Sequence, residues 1–261
     1  MLARVNLYLK KWSAADSAAT AVINSGQFSL VPLPMVPEFP PNVNPDSDAF
    51  SANSVEAILQ FETVNVRPWA TAEGDAIEPS RAGGFPGFIL ENSVINGFES
   101  NDLRRSAWVD SIVFNGATYY YPTKYKVWRG ASGNITEYYM VLRFAEQYLV
   151  RAEAEANGAG GGPGSAIADL NIIRTRAGLS PLSDTTGDIS SAIKQEWRNE
   201  FFAEWGHRWL DLKRWGMALS TLDTIPIKGS NINNNQLLYP IPLPEIQDDP
   251  NLIQNPGYTS H

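Results

Sequence analysis

The chain of 261 residues contains no cysteine and only two histidines, His207 and His261. Without cysteine there is no disulfide, no thiol nucleophile and no thiolate metal ligand. A serine–histidine–aspartate triad or a histidine-based zinc site would have to use His207, because the other histidine is the last residue. We therefore expect a structural hydrogen bond from His207 rather than chemistry.

Positive charge is also scarce. Lys and Arg together number 20 against 28 Asp and Glu, which gives a formal net charge of −8. An acidic chain without a long basic cluster disfavours binding to a phosphate backbone, so we expect no nucleic-acid partner. The sequence has neither an apolar run of about 20 residues that would span a bilayer nor a visible secretion signal.

Motifs of common enzyme classes are missing. The stretch 130–133 has the wrong spacing for a nucleophile elbow, and the glycine cluster 160–164 lacks the lysine of a phosphate-binding loop. Asp46 and Asp48 fit a solvated turn better than a calcium site, which needs about six oxygen ligands. No motif marks the two carboxylates that a glycosidase needs beside a cleft. We expect no catalytic residue, no cofactor and no metal.

The run from Glu196 to Gly216 is the most informative segment that is present, since it holds four of the eight tryptophans among acids and arginines. Helical spacing predicts a shared buried face, formed by Ile193, Trp197, Phe201 and Trp205. The charged residues interleaved with them are close enough in sequence to pair along and between turns: Arg198, Glu200, Glu204, Arg208, Asp211 and Arg214. We interpret the run as a buried helix cemented by ion pairs, and keep a catalytic carboxylate cluster as the alternative.

Two pairs of helices are predicted from apolar periodicity. In the first pair, Leu2, Val5 and Leu9 recur at helical spacing, and Ser13 is the expected cap of a second helix that is closed by Gly26. In the second pair, helices are expected at about 137–157 and 165–177, on either side of a glycine-rich loop. The spacing is typical of tetratricopeptide helix pairs, which stack on their neighbours.

The segment between these pairs, 27–136, differs in kind. Its prolines forbid regular helix at its start, and 55–63 reads as a short strand or helical turn. Long irregular segments in a compact protein are usually functional or mobile. We therefore expect the ligand site here.

Four ordered segments and a fifth resemble the SusD/RagB family, the surface glycan-binding lipoproteins of Bacteroidetes, with a looser match between about 50 and 130. Besides the tryptophan-rich run, they are Arg143-Phe144-Ala145-Glu146 with the Arg-Ala-Glu-Ala that follows at 151–154, the Asn-Ile-Ile-Arg-Thr-Arg-Ala-Gly-Leu of 171–179, the proline-rich tail of 239–258, and the helix pair of 1–30. Shorter matches lie at Glu56, at Asp102-Leu103-Arg104 and at Lys124-Tyr125.

The resemblance implies a mainly α fold, in which tetratricopeptide-like helix pairs build a SusD-like α/α superhelix with a large loop-rich, weakly β insertion. We expect one domain over 1–261, divided into a helix pair (1–26), a ligand region (27–136), a helical core (137–217) and an irregular tail (218–261). Because the match begins in the middle of the family's chain, we expect the C-terminal part of a longer protein. A free-standing soluble protein is the alternative.

The resemblance also implies a function without catalysis. The chain would bind oligosaccharide nutrients at the outer-membrane surface and hand them to a TonB-dependent, SusC-like transporter. Any membrane attachment would come from a lipid anchor that this sequence does not contain. A helical protein-interaction scaffold that binds no sugar is the alternative, and a glycan-active hydrolase is a third reading.

Sugar rings stack on aromatic side chains while polar groups bond their hydroxyls. Trp69 is our first candidate, because it follows a proline in a polar stretch with few apolar partners. Asn65 and Arg67 lie beside it in sequence, and Tyr120 and Trp108 are further aromatic candidates. Core packing is the competing interpretation for each ring. The family's binding residues lie in variable loops, so none is carried over by position.

Overall fold

The computed structural model describes residues 1–33, 48–63, 70–79, 84–127, 135–183, 187–225, 228, 232–249 and 251–259. The chain divides into two compact units, Met1–Phe202 and Ala203–His261. Within the described residues helices predominate and the strands are short, so the predicted mainly α fold is confirmed.

The first unit contains eight helices and four strands among its described residues, and their bounds in chain order are α1 Leu2–Tyr8, α2 Trp12–Ile23, β1 Ala57–Phe61, α3 Ala72–Ile77, α4 Asn92–Ile95, α5 Leu103–Trp108, β2 Val109–Phe114, β3 Ala117–Pro122, β4 Tyr139–Arg143, α6 Phe144–Ala156, α7 Gly162–Arg176 and α8 Ile189–Phe201. The described part of the second unit holds α9 His207–Arg214, α10 Ala218–Leu222, a 3-10 helix Asn234–Leu237 and α11 Leu243–Asp248.

The two predicted helix pairs form a continuous stack. Helix α2 packs against α6, and α6 packs against α7 and α8. Ala15 and Ala19 are fully buried on α2, so that helix can approach α6 closely. A bidentate ion pair ties α6 to α7, in which Arg151 donates to both carboxylate oxygens of Asp169 at 2.6 and 2.7 Å.

Two helix boundaries differ from the prediction. Helix α2 begins at Trp12 with Lys11 as its cap, so Ser13 lies inside the helix. The helix expected from about 137 begins only at Phe144, because 139–143 pairs with β1 as an antiparallel strand. Tyr-Met-Val-Leu-Arg is rich in residues that suit a pleated, half-buried surface, and that pairing wins over helical periodicity.

The strands form two small antiparallel sheets. In the first, β1 pairs with β4, with Ala57 opposite Arg143 and Phe61 opposite Tyr139. This confirms a strand within 55–63. In the second, β2 and β3 form a hairpin in which Ile112 lies opposite Tyr119 and Phe114 opposite Ala117. Its two-residue turn has positive φ at Asn115 and Gly116, which suits the residues found there.

The second unit starts where the tryptophan-rich run stops being one helix. Ala203, Trp205 and Gly206 all have positive φ, so α8 ends at Phe201 and α9 begins at His207. The spacing predicted that Trp205 shares a helix face with Trp197. This prediction is wrong, because Trp205 lies beyond the end of α8. Arg214 donates to Asp211 at 2.7 Å within α9, one of the expected local ion pairs.

Hydrogen bonds within the second unit connect two parts of its C-terminal tail. The side chain of Gln254 bonds both the N–H and the carbonyl of Ile241, at 2.8 and 2.9 Å. No helix in the described parts of either unit is long and apolar enough to cross a membrane.

Candidate functional site

The conspicuous polar feature of the first unit is a buried group that we call the arginine–carboxylate cluster. Its members are Arg104, Arg143, Arg174 and Arg176 with Glu56, Asp102, Glu196 and Glu200. All eight side chains are 7% exposed or less. They come from α5, α7, α8, the β4–α6 junction and the segments that precede β1 and α5.

Glu200 is at the centre of the cluster. Its carboxylate accepts from Arg143 at 2.5 Å, from Arg104 at 3.4 Å, and from Arg176. Burial by itself would raise the pKa of the Glu200 carboxyl, but the charges of Arg176, Arg143 and Arg104 together lower it well below its ordinary value. Glu200 is therefore ionised and covered, and it has no proton to donate in the neutral range.

Arg104, which lies at the start of α5, binds three carboxylates. Its Nε and Nη2 donate to the two oxygens of Asp102 at 2.9 and 2.7 Å, and Nη1 donates to Glu196 at 2.7 Å. Asp102 also caps α5 by accepting from the backbone N–H of Arg104 at 3.0 Å. Burial lowers the pKa of Arg104, but Glu196, Asp102 and Glu200 outweigh it and raise the pKa above its ordinary value.

The remaining arginines extend the cluster. Arg143 donates to Glu56 at 2.9 Å, and its guanidinium lies 4.0 Å from the ring centroid of Phe201. Arg174 donates to Glu196 at 3.0 Å and also pairs with Glu99, which lies at the more exposed edge of the cluster.

Each of these arginines bonds at least one carboxylate, and each carboxylate of the cluster accepts from at least one arginine. A buried set of charges that is mutually paired is a scaffold rather than a reactive site, because every acid is already engaged. The cluster can hold α5, α7, α8 and the β1–β4 sheet in fixed register.

The partners of Glu200 and Arg198 are not those expected from the sequence. Buried ion pairs were predicted along the tryptophan-rich run, yet Glu200 pairs with arginines of α5, α7 and β4. Arg198 donates to the carbonyl and hydroxyl of Ser93 at 2.6 and 3.0 Å. The short motif matches at Glu56 and Asp102–Arg104 were the signals, but only the fold brings them to the same place.

Of the predicted binding residues, Trp69, Asn65 and Arg67 lie outside the described residues. The positions on either side of their segment are well anchored. Thr63 and Ala70 are buried, and the Tyr139 hydroxyl accepts from the N–H of Ala72 at 2.8 Å.

The structure separates the other two candidates. Trp108 is 2% exposed and packs edge-on against Phe50, with the ammonium of Lys124 4.4 Å from its ring centroid. Its ring belongs to the core and has no free face for a sugar. Tyr120 is half-buried, and the guanidinium of Arg105 lies 4.8 Å from its ring centroid.

An exposed group of rings lies on the β2–β3 hairpin and in the segment 84–90 beside it, and sequence reasoning missed its phenylalanines. We call it the hairpin patch and define it as Phe85, Phe88, Phe114 and Tyr119. Phe85, Phe88 and Phe114 are 48%, 64% and 47% exposed. Only tryptophan and tyrosine were taken as candidates for sugar stacking. Phe114, directly before the Asn-Gly turn, could have indicated an exposed ring at the tip of a hairpin.

A second polar group lies near the base of the hairpin. Burial, with the charges of Glu137 and Asp110, raises the pKa of Glu78 to about 8, although Lys126 lowers it. The Glu137 carboxylate accepts from the backbone N–H groups of Lys126 and Val127 at 2.6 and 3.2 Å. Its pKa is raised to about 7, chiefly by burial. In the described part of the chain no group of three or more metal-ligating side chains could hold a metal ion.

The fold agrees with comparisons to known proteins. The model of the SusD family matches residues 93–258. This is more than half of the chain, which therefore belongs to the SusD family. The predicted resemblance is confirmed.

Two curated relatives are similar in sequence. The chain is 34% identical over 123 residues to the starch-binding protein SusD of Bacteroides thetaiotaomicron, a match that covers 45% of this chain and 21% of that protein. It is 30% identical over 183 residues to the SusD-like protein P25 of Formosa agariphila, covering 62% and 33%. The chain thus spans at most about a third of the length of these relatives.

Solved structures share the fold. Surface glycan-binding protein A from Bacteroides fluxus superposes with a TM-score of 0.74 at 26% identity, over 98% of this chain and 61% of that one. The protein of the same name from Bacteroides thetaiotaomicron, in complex with laminarihexaose, gives a TM-score of 0.68 at 22% identity, over 97% and 62%. At that identity the second likeness concerns the fold alone.

Proposed function

We propose that this chain binds oligosaccharides at the cell surface without transforming them. Its family membership and the names of its relatives, a starch-binding protein and surface glycan-binding proteins, support this. The observation that carries the proposal is the exposed ring group of the hairpin patch, which lies in the segment expected to hold the ligand. Exposed aromatic rings are the side chains on which sugar rings stack.

The chemistry of the acids favours binding over hydrolysis. A glycosidase needs two carboxyl groups on either side of an open cleft, one of them able to donate a proton. Glu196, Glu200 and Glu56 are instead buried against arginines. The cluster gives these acids a structural task and leaves them no access to a substrate.

Four of the five predicted ligand residues remain candidates for sugar binding. Trp69, Asn65 and Arg67 remain our candidates for one part of the binding surface, and Tyr120 remains a candidate because it is only half-buried. We leave Trp108 out, because its ring is enclosed in the core.

We further propose that the chain acts at the outer-membrane surface and delivers its sugar to a TonB-dependent, SusC-like transporter. Membrane attachment would then come from a lipid anchor outside this sequence. Co-purification of the native protein with such a transporter supports this step, and a protein that purifies without one contradicts it.

Glycan binding is tested with a glycan array, followed by calorimetry of the purified chain with the sugars that score. Replacement of Trp69 by alanine is expected to abolish binding, while the Trp69→Phe variant retains part of it because a ring is still present. Trp205→Ala is the matched control, since it removes an exposed tryptophan from the other unit. Release of reducing sugar by the purified chain would overturn the binding-only function.

One observation favours the alternative of a protein-interaction scaffold. Leu2, Val5 and Leu9 are 67%, 44% and 58% exposed, with Leu2 and Val5 on one side of α1 and Leu9 as its C-cap residue. Under this alternative, Val5→Glu would weaken association with a partner protein, and the array would show no sugar binding.

A further inference from the structure

Three of the four rings of the hairpin patch pack against one another. This inference rests on the proposed function and deepens it by assigning a site. The ring of Phe85 lies between two rings of the hairpin, 5.3 Å from Phe114 and 5.2 Å from Tyr119 between centroids, at interplanar angles of 63° and 73°. Because Ile112 faces Tyr119 and Phe114 faces Ala117, alternation along the strands places Phe114 and Tyr119 on the same side of the hairpin.

The patch stays open to water although it is strongly apolar. Phe88 and Ile89 are 64% and 51% exposed in the segment that carries Phe85. Exposed rings that pack together, as Phe85 does with Phe114 and Tyr119, usually mark a binding surface, since isolated exposed residues are common but clustered rings are not.

The backbone beneath the patch is fixed in place. The N–H of Leu90 donates to the carbonyl of Tyr120 at 2.7 Å, which attaches the segment 84–90 to β3. A Cβ on Gly87 would lie 1.9 Å from the carbonyl oxygen of Ala76, so only glycine permits the close approach of this segment to α3. At the base, the N–H of Thr123 donates to the carbonyl of Trp108 at 2.9 Å. The rings are therefore held in position before any ligand arrives, which lowers the entropic cost of binding.

The arginine–carboxylate cluster contributes to this positioning. Helix α5, which Asp102 caps and Arg104 anchors, leads without a break into β2. The arginine–carboxylate cluster thus anchors the helix from which the hairpin starts.

Size and polarity indicate the kind of occupant. A handful of exposed side chains offers a few hundred Å², well below the roughly 1,000 Å² that a stable protein interface buries. A small ligand with flat apolar faces fits this area better. Asp110 lies opposite Tyr121 in the register, on the same side as Phe114. Its carboxylate accepts from the Tyr121 hydroxyl at 3.1 Å and from Ser111 N–H at 2.6 Å, which leaves acceptor sites for further donors.

We propose that the hairpin patch is an oligosaccharide-binding subsite in which Phe85, Phe88 and Phe114 contact the apolar faces of sugar rings and Asp110 accepts hydrogen bonds from their hydroxyl groups. Asp110 and Phe114 are four residue steps apart along the strand, a distance of about 13 Å. The subsite therefore takes a glycan longer than one sugar unit.

The test titrates the full chain with laminarihexaose, with maltohexaose and with the sugar that scores highest on the array. Phe85→Ala, Phe88→Ala and Phe114→Ala are each expected to weaken the affinity at least about ten-fold, equal to about 1.4 kcal/mol. Phe114→Tyr is expected to retain binding, because it keeps the ring. Val113→Ala is the matched control. This residue adjoins Phe114 on the opposite side of the hairpin, is 70% exposed, and its loss should leave the affinity unchanged.

The outcomes separate this proposal from the proposed function. If wild type binds sugar and the three variants bind it equally well, the subsite is overturned while glycan binding stands. If wild type binds no sugar, both are overturned. Loss of self-association in Phe114→Ala, with sugar affinity unchanged, would assign the patch to a protein contact and also overturn the subsite. Circular dichroism and thermal unfolding of every variant identify any loss of affinity that comes from misfolding, and Phe88→Ala, which alters the most exposed ring, is then decisive.

Discussion

Arg143 and Glu200 are 57 positions apart in sequence and are joined twice in the fold. Arg143 Nη1 donates to the Glu200 carboxylate at 2.5 Å, and Nη2 donates to the Glu200 main-chain carbonyl at 2.7 Å. Both side chains are at most 1% exposed. Such a pair fixes the end of α8 against the β4–α6 junction, and it makes each partner costly to remove because the other charge would remain buried.

The first prediction concerns the removal of the central charge. Glu200→Gln should destabilise the protein by about 3–5 kcal/mol, since Arg104, Arg143 and Arg176 lose a shared carboxylate inside the core. Urea unfolding measures the change. Glu91→Gln is the control, because Glu91 is exposed and its stability change should stay within about 0.5 kcal/mol. Equal effects of the two substitutions would contradict the structural role of the cluster.

The second prediction tests the geometry of the cluster rather than its charge. Arg104→Lys keeps the positive charge but cannot reproduce the bidentate bond to Asp102 together with the bond to Glu196. A loss of about 1.5–3 kcal/mol is expected, the range for hydrogen bonds to charged groups. The neighbouring Arg105→Lys should change stability much less, because among the described residues Arg105 donates to the carbonyl of Val109 at 3.3 Å and lies over the ring of Tyr120, without a carboxylate partner. If both variants unfold at the same urea concentration as wild type, the fork geometry is unimportant.

The third prediction separates core from ligand site at Trp108. Trp108→Ala should cost about 3–5 kcal/mol, as other deletions of large buried rings do. Trp108→Phe should cost less and should leave glycan affinity at the wild-type value under conditions where the variant is folded. A folded Trp108→Phe variant that no longer binds sugar would show that this ring has a direct part in recognition.

The fourth prediction concerns pH. The pKa of Glu78 rises from 4.5 to about 8 on folding, so the folded chain holds this proton more tightly than the unfolded chain. The stabilisation from this group is therefore complete below about pH 4.5 and is lost as the pH rises through about 8. Glu78→Gln, which is neutral throughout, should become the more stable protein at about pH 9 and lose that advantage in acid.

Chemical unfolding at several pH values, compared with wild type and with the exposed control Glu91→Gln, measures this difference. A difference between Glu78→Gln and wild type that is constant with pH would show that Glu78 keeps an ordinary pKa in the fold.

Much of the fold could be predicted because periodicity and motifs act locally. The helices of both pairs were recognised from spacing alone, and the charged residues of the tryptophan-rich run were expected to form ion pairs. The partners of Glu200 could not be predicted, since Arg104 and Arg143 approach it only after α5, β4 and α8 have packed. The boundary at Phe144 was misplaced because pairing of β4 with β1, more than 75 positions earlier in the chain, decides it.

The binding surface was predicted less well than the scaffold. The sequence does not distinguish a tryptophan that fills a core, as Trp108 does, from one that lines a binding site. The exposure of Phe85 and Phe114 depends on the hairpin register and on the attachment of Leu90 to β3, neither of which composition reveals.

The most direct test of the account is a crystal structure of the chain grown with laminarihexaose or with the best array sugar. The account predicts an intact oligosaccharide lying against aromatic side chains between residues 64 and 127, with the arginine–carboxylate cluster closed beneath it. A cleaved sugar, or one bound at the carboxylates of Glu196 and Glu200, would contradict it.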